Sequence, residues 1–579
     1  MSMVNVKIDG VDVSVPEHTT VLKAARKAGI DIPTLCYLEG VSGIGACRMC
    51  LVQQNGSPKM LASCVTTVTD GAEYVTNNAE IREARRVNLD LILSTHNATC
   101  FTCVRNKNCE LQSLAEKLGV DTVEYEGENP EYDIDMSSPS IVRDNNKCIL
   151  CRRCVAVCNN VQEVGAIGFI NRGFKTKVGT EFDRGLAEGV CINCGQCIKA
   201  CPVGALSERD DTQKIWDALA DPDKYVVVQT APSIRVGLGE EFGMPMGSRV
   251  TYKMAEALRR LGFDQVFDTD FSADLTIMEE GTELLKRIED GGPFPLITSC
   301  SPGWIKFCET FYPEFNDNLS SCKSPQQMMG AVIKNYYAEQ NKIDPKKIFS
   351  VSVMPCTAKK FESDRPEMNS TGLPDVDVAI TTRELGRMIK QAGIDFTKLP
   401  DGKFDDVLGE STGAAAIFGA TGGVMEAALR TVYEIVTGET LTDINFTAVR
   451  GTQGVKEATV KVGDLDVHVA IAHGLGNARK LLDSIKSGEK FYHFVEIMAC
   501  PGGCVNGGGQ PIVNAKTLMD TDPREVRAKA IYDEDEAMAL RKSHENPSIK
   551  KIYEEYYGEP GSHKAHEQLH THYTKRQKY

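Results

Sequence analysis

The chain has 579 residues, 42% of them hydrophobic, and a net charge of −15. It is long enough for several domains and at least one large core, and too acidic for nucleic acid or an anionic membrane to be expected partners. The longest apolar runs, such as YVVVQTAP at 225–232, fall short of the ~18 residues of a membrane span, and no charged-then-apolar leader precedes the first strand-like segment, so a soluble cytoplasmic protein is expected.

Twenty-one cysteines in such a chain point to metal rather than disulfides, because a reducing cytosol keeps thiols free. Read from the amino end, MVNVKIDGVDVSV alternates apolar and polar residues around an Asp9-Gly10 turn, a hairpin signature. The helical stretch TTVLKAARKAGI follows, then Cys36, Cys47, Cys50 and Cys64, with the glycines of GVSGIGAC free to wrap backbone amides around a cluster. Four thiolates in a hairpin-helix module suit a 2Fe-2S centre, although ten residues separate Cys36 from Cys47 where the plant-type spacing has four. Buried unliganded thiols are the bland alternative, and glycine-rich loops are poor places to bury them.

The segment after Asn78 has helical periodicity to about Ser94, and His96, Cys100, Cys103 and Cys109 come next. Three thiolates and an imidazole suit either zinc or a 4Fe-4S cube. The neighbouring clusters favour iron, since redox-silent zinc would interrupt a run of electron carriers. CILCRRCVAVC then supplies Cys148, Cys151, Cys154 and Cys158, and CINCGQCIKACP supplies Cys191, Cys194, Cys197 and Cys201. Both have the C-x2-C-x2-C-x3-C spacing of two-cluster ferredoxins, in which the last cysteine of each run ligates the other run's cube. Cys148, Cys151, Cys154 and Cys201 are therefore assigned to one 4Fe-4S cluster, and Cys191, Cys194, Cys197 and Cys158 to the other.

Beyond about residue 210, short apolar runs end in loops (YVVVQTAPS, PLITSCSPGW, IFSVSVMPCTAKKFE, FVEIMACPGGC) with helical patterns between them. Strands alternating with helices predict a mostly parallel sheet whose ligands gather beyond the strands' carboxyl ends. Cys300, Cys356, Cys500 and Cys504 are expected to converge there, and Cys308 and Cys322 to be structural. No G-x-G-x-x-G fingerprint stands at a strand-helix junction, so any NAD(H) chemistry requires a partner chain. The fold class read here is multidomain α+β and α/β: ferredoxin-like iron-sulfur modules followed by a large α/β catalytic domain. The expected boundaries are 1–78 for the 2Fe-2S domain, 79–138 for the His/Cys3 4Fe-4S domain, 139–209 for the two-4Fe-4S ferredoxin domain and 210–579 for the catalytic domain.

VMPCTAKKFE, EIMACPGGCVNGGGQP, ADLTIMEEGTELL and TSCSPGW together resemble the iron-only (FeFe) hydrogenases. The resemblance covers the whole chain, including the four accessory cluster motifs and the RKSHEN and AHEQLH stretches near the end. It implies an H-cluster: a 4Fe-4S cube bridged through one cysteine sulfur to a two-iron subcluster with carbon monoxide, cyanide and dithiolate ligands, interconverting protons, electrons and dihydrogen. By the same resemblance Cys356, Cys500 and Cys504 hold the cube, with Cys504 as the bridge. Lys359 hydrogen-bonds a cyanide, and Pro232, Gln326, Met354, Phe418 and Met498 line the pocket. Glu280, Glu283, Arg287 and Ser320 match the family's proton path, with Glu280, Glu283 and Arg287 on one helical face.

TSCSPGW departs from the family, which has two adjacent cysteines where this chain has Cys300 and Ser301. Strict register makes Cys300 a proton relay and leaves Ser301 as the fourth cube ligand. A serine hydroxyl is a poor iron ligand beside thiolates, so the sequence favours Cys300 turning in as the ligand; a cube held by three cysteines and an oxygen is the alternative. The resemblance further implies exchange with ferredoxin, or with a flavin- and NAD(H)-binding partner subunit and a small iron-sulfur subunit. A hydrogen-sensing or slow variant competes with the working enzyme, as does an electron-transfer or assembly protein without hydrogen chemistry. The motifs around Lys359 and Cys504 weigh against the last.

Overall fold

The computed structural model describes residues 2–578 apart from positions 407 and 464. Asp9 and Gly10 both take positive φ, 45° and 83°, and fold β1 (Met3–Ile8) back on β2 (Val11–Pro16). With β3 (Leu51–Gln54), β4 (Met60–Ala62) and β5 (Glu73–Val75) they form a five-stranded sheet in the order β2-β1-β5-β3-β4. The helix Val21–Lys27 buries Val21, Leu22, Ala24 and Ala25, and the Thr20 hydroxyl caps it by accepting the Lys23 N–H, a contact worth about 1 kcal/mol. The helix expected to reach Ser94 spans Ala79–Leu93, with Ser94 as its cap residue.

Four short strands frame the two ferredoxin-type cysteine runs: β6 (Ile141–Arg143), β7 (Gly168–Ile170), β8 (Lys177–Gly179) and β9 (Leu206–Glu208). β6 pairs with β9 and β7 with β8, both antiparallel. The larger part of the chain carries β10 (Tyr225–Thr230), β11 (Gln265–Asp268), β12 (Leu296–Ile297), β13 (Ile348–Met354), β14 (Val378–Thr381), β15 (Val455–Val462), β16 (Leu465–His473) and β17 (Phe494–Met498). The sequence pattern predicts one mostly parallel sheet; the structure has two. One is wholly parallel in the order β11-β10-β13-β14, and the other, β12-β17-β16-β15, is parallel except at β15 and β16. Strand-helix alternation gives the direction of successive strands but not how they divide between sheets. The central strands β10, β13 and β17 are buried almost throughout, which is why they read as continuous apolar runs.

The iron-sulfur modules are welded to this body. Ile192 and Ile198 share one core with Ile297, Trp304 and Ala499. At the seam Glu208 pairs with Arg383 and Arg387, each at 2.7 Å. Breaking one such buried pair strands a charge and costs about 3–5 kcal/mol, so the modules are held in a fixed orientation. Among the described residues no helix is long and apolar enough to cross a membrane.

Candidate functional site

Four strands of the two sheets end in the loops that carry the expected residues. β10 runs into Pro232 and Ser233, β12 into Cys300, β13 into Cys356, and β17 into Cys500. The Cys500 side chain adjoins Cys356, and that proximity together with burial raises the Cys356 thiol well above its ordinary range. Cys504 lies close enough for its charge to push up Cys300, Cys356 lies close enough to push up Cys504, and burial raises Cys504 to about 12. None of the twenty-one cysteines forms a disulfide. Buried thiols crowded together in this way resist ionisation on their own, whereas as ligands the irons of a cluster would neutralise their charge. The donor set therefore fits an iron-sulfur cube.

The Lys359 ammonium faces Cys300, Cys356 and Cys504 and lowers all three thiols against burial. It is held by the Ser324 hydroxyl and the Glu362 carboxylate, both at 2.8 Å. Gln326 donates to the same carboxylate at 3.0 Å and accepts from Ser352 at 2.9 Å. Pro232, Met354, Phe418 and Met498 are buried. Ser233 carries no motif in the sequence, yet its buried hydroxyl has no partner and lies 2.8 Å from where a Cβ on Gly419, next to Phe418, would project. A hydroxyl closely following a buried apolar strand is the one sequence signal that points to it.

Cys300 and Ser301 face different neighbours. Cys300 is pushed up by burial, then by Glu280 and Cys504. The Ser301 hydroxyl accepts the Ala499 N–H at 3.2 Å, immediately before Cys500. On the outer side of Cys300 the helix Thr269–Asp290 presents Glu280, Glu283 and Arg287. Arg287 donates to Glu283 at 2.7 Å, and Ser320 donates to the other Glu283 oxygen at 3.0 Å while lying near enough to Glu280 to oppose the effect of burial on it. Burial raises Glu280 to about 8, with the Glu283 and Glu496 charges acting in the same direction. Cys322, expected to be structural, has its sulfur 3.9 Å from the Glu283 carboxylate.

On the opposite side sit the iron-sulfur modules. Cys148, Cys151, Cys154 and Cys201 line one cavity and Cys158, Cys191, Cys194 and Cys197 another, the crossed grouping expected from the spacing. The second run is seated on the catalytic loops: Thr357 donates to the Asn193 carbonyl at 2.7 Å, and Gln162, which has no motif to mark it, donates to the Ala499 carbonyl at 3.0 Å. A Cβ on Gly508 would lie 2.2 Å from the Cys194 carbonyl, so this glycine is required by module contact as well as by any inorganic group.

Farther out, Cys36 contacts Cys47 and Cys64, and Cys50 contacts Cys64. The remaining module holds Cys103 and Cys109 close together, and His96 has Nδ1 buried without a partner. Cys100 opens the short turn Cys100–Thr102 that leads into Cys103. Among the described residues no three of the thiol and imidazole ligand atoms lie within 4.8 Å of one another; a single tetrahedral zinc would hold thiolates roughly 3.8 Å apart.

Two cysteine-lined cavities in the amino-terminal modules, buried cysteines at the strand ends and the carboxylate-hydroxyl group of Glu280, Glu283 and Ser320 beside Cys300 define the class of an iron-sulfur protein. The C-terminal domain of the iron only hydrogenase large subunit matches residues 224–508, and the iron hydrogenase small subunit matches residues 521–576. A 2Fe-2S iron-sulfur cluster binding domain matches 1–79, an NADH-ubiquinone oxidoreductase-G iron-sulfur binding region 85–124, and the ferredoxin-like domain of NADH-quinone oxidoreductase subunit 3 matches 138–207. The chain is 51% identical to the NADP-reducing hydrogenase subunit HndD of Solidesulfovibrio fructosivorans, covering 100% of both chains. It is 46% identical to iron hydrogenase 1 of Clostridium pasteurianum over 99% of this chain and 100% of that one. The apo FeFe-hydrogenase of Chlamydomonas reinhardtii matches 63% of this chain and 99% of its own at 44% identity, with a TM-score of 0.57. The chain belongs to the iron-only hydrogenase family. It is an oxidoreductase acting on hydrogen, with amino-terminal iron-sulfur modules as its electron relay.

Proposed function

We propose that Cys356, Cys500 and Cys504 hold the cube of the H-cluster, with Cys504 as the bridge to the two-iron subcluster and the Ser301 oxygen at the fourth position. When bound, the cluster supplies the redox chemistry, exchanging electron pairs with dihydrogen. The observation that carries this reading is the meeting of Cys356, Cys500 and Cys504 beside the Lys359 ammonium. Lys359 would supply the donor for a cyanide ligand, and Pro232, Gln326, Met354, Phe418 and Met498 would exclude water around it. Cys300 takes the proton-relay role, because Glu280 adjoins it and Ser301 is the residue bonded beside Cys500; its neighbours favour this over the ligand role that the sequence suggested. Arg287 orients Glu283, Ser320 passes protons between Glu283 and Glu280, and Glu280 exchanges them with Cys300.

The accessory set in this reading is one 2Fe-2S cluster at Cys36, Cys47, Cys50 and Cys64, and three 4Fe-4S clusters. These are held by His96 with Cys100, Cys103 and Cys109, by Cys148, Cys151, Cys154 and Cys201, and by Cys158, Cys191, Cys194 and Cys197, within modules ending near residues 78, 138 and 209. The match of residues 85–124 to an NADH-ubiquinone oxidoreductase-G iron-sulfur binding region supports a cube over zinc at His96. His96→Ala is expected to remove or alter one 4Fe-4S paramagnetic signal; an unchanged spectrum with stoichiometric zinc would reverse the metal assignment.

For the electron partner, the NADH-oxidoreductase-like modules and the NADP-reducing relative support a flavin- and NAD(H)-binding subunit together with a small iron-sulfur subunit; ferredoxin is the direct alternative. The matured chain alone is expected to reduce a viologen dye with hydrogen and to leave NAD(P)⁺ untouched until a copurifying flavoprotein is added. No dye reduction from a sample with a complete two-iron site would defeat the assigned site, and NAD(P)⁺ reduction by the single chain would defeat the partner assignment.

A further inference from the structure

The carboxyl-terminal segment at 569–573 lies against residues 320–323. The Lys323 N–H donates to the Leu569 carbonyl at 2.8 Å, the Thr571 N–H donates to the Ser321 carbonyl at 2.7 Å, and Cys322 bridges His570. This pairing fixes the His570 ring between two acidic residues of one helix. Its Nε2 lies 3.0 Å from Glu279, and its Nδ1 lies 2.8 Å from the Ser321 hydroxyl. Ser321 is in turn 3.3 Å from Glu283, the outer carboxylate of the proton path. Glu279 also accepts from the Tyr553 hydroxyl and from the Gly561 N–H at 2.8 Å, so both its oxygens are engaged and it serves to orient the imidazole. The His570 side chain is 5% exposed and the Glu279 side chain 0%. The His566 ring stacks on His570 at 4.4 Å.

We propose that His570 is a pH-responsive positioning residue for proton transfer, acting on Glu283 through the Ser321 hydroxyl. This rests on Glu283 being part of the proton path. Ser321 has one hydroxyl proton and two acceptors for it. When His570 is neutral, Nε2–H donates to Glu279 and Nδ1 accepts the Ser321 proton, so the Ser321 hydroxyl gives none to Glu283. When His570 is protonated, Nδ1–H donates to Ser321, whose hydroxyl proton turns to Glu283. The only covalent change is that one proton from solvent binds His570; the other change is the rotation of one hydroxyl.

The two states give Glu283 different partners: it accepts the Ser321 hydroxyl proton when His570 is charged and lacks that donor when His570 is neutral, so proton transfer through Glu283 changes with the state of His570. The titratable and charged groups around His570 and its partners are Glu279, Glu283, Arg287, Cys322, Tyr553, Tyr557, His566 and Tyr573, with His563 beside His566. Histidine is the side chain whose charge changes between about pH 5 and 8.

The test is the ratio of evolution to uptake rates from about pH 5 to 9 in fully matured holoenzyme. His570→Gln, which cannot charge, is expected to flatten one inflection and change that ratio by roughly tenfold at one pH extreme, the effect of one hydrogen bond to a charged group. Ser321→Ala is expected to give the same flattening, and the double variant no more than either single one. The iron-sulfur signals and cofactor infrared bands are expected to be those of the parent protein. A parental profile in His570→Gln, or an additive double variant, overturns the proposal. Glu283→Gln is the separate control: if it turns over normally, the proton-path reading falls and this proposal with it.

Discussion

Cys504→Ala is expected to lose hydrogen turnover by more than roughly 100-fold. Loss of a residue that merely supports a metal ligand already costs about 10–100-fold, and Cys504 is the sulfur assigned to both halves of the cluster. The paramagnetic signals of the two ferredoxin-type clusters are expected to persist, because their cysteines line cavities to which Cys504 does not contribute. Retained turnover would rule out the bridging assignment. Loss of all cluster signals would instead indicate misfolding, and Cys504→Ser, with nearly the same volume, then decides between the two.

The parts of this site that were legible in the sequence are those written in spacing. The C-x2-C-x2-C-x3-C runs carry their pairing because a short loop can present its thiols to a cube in few ways, and the crossed fourth cysteines follow from the same constraint. Glu280, Glu283 and Arg287 were legible only through the family resemblance, since three- and four-residue steps put them on one face of a helix but such a face is ordinarily a solvated stripe. Strand ends carrying Cys300, Cys356 and Cys500 could be placed at a sheet edge, but the division into two sheets could not. What stayed hidden depends on contacts between distant segments: Gln162 on Ala499, Thr357 on Asn193, and His570 against Ser321 and Glu279. Each is an ordinary polar residue in its local sequence, and only the assembled chain gives it a partner. Cys322 is the clearest instance, a cysteine outside every cluster motif that touches the Glu283 carboxylate.

Cys300→Ala is expected to lower turnover by about 10²–10⁴-fold, the usual contribution of a positioned proton donor, with the spectrum of the cube unchanged. If Cys300 were instead the fourth iron ligand, the cube's paramagnetic signal would shift or vanish together with activity, so the spectrum separates two roles that activity alone cannot. The pH dependence identifies the group behind it. Burial, reinforced by Glu283 and Glu496, raises Glu280 to about 8. Below that pH the carboxyl holds its proton and can deliver it to Cys300; above it the ionised form predominates and can only accept. Hydrogen evolution limited by proton delivery is therefore expected to fall about tenfold per pH unit above that value, while uptake limited by proton release rises towards it and levels off. Glu280→Gln removes this titration as well as the transfer, and an inflection near pH 8 that survives the substitution would mean that another group sets it.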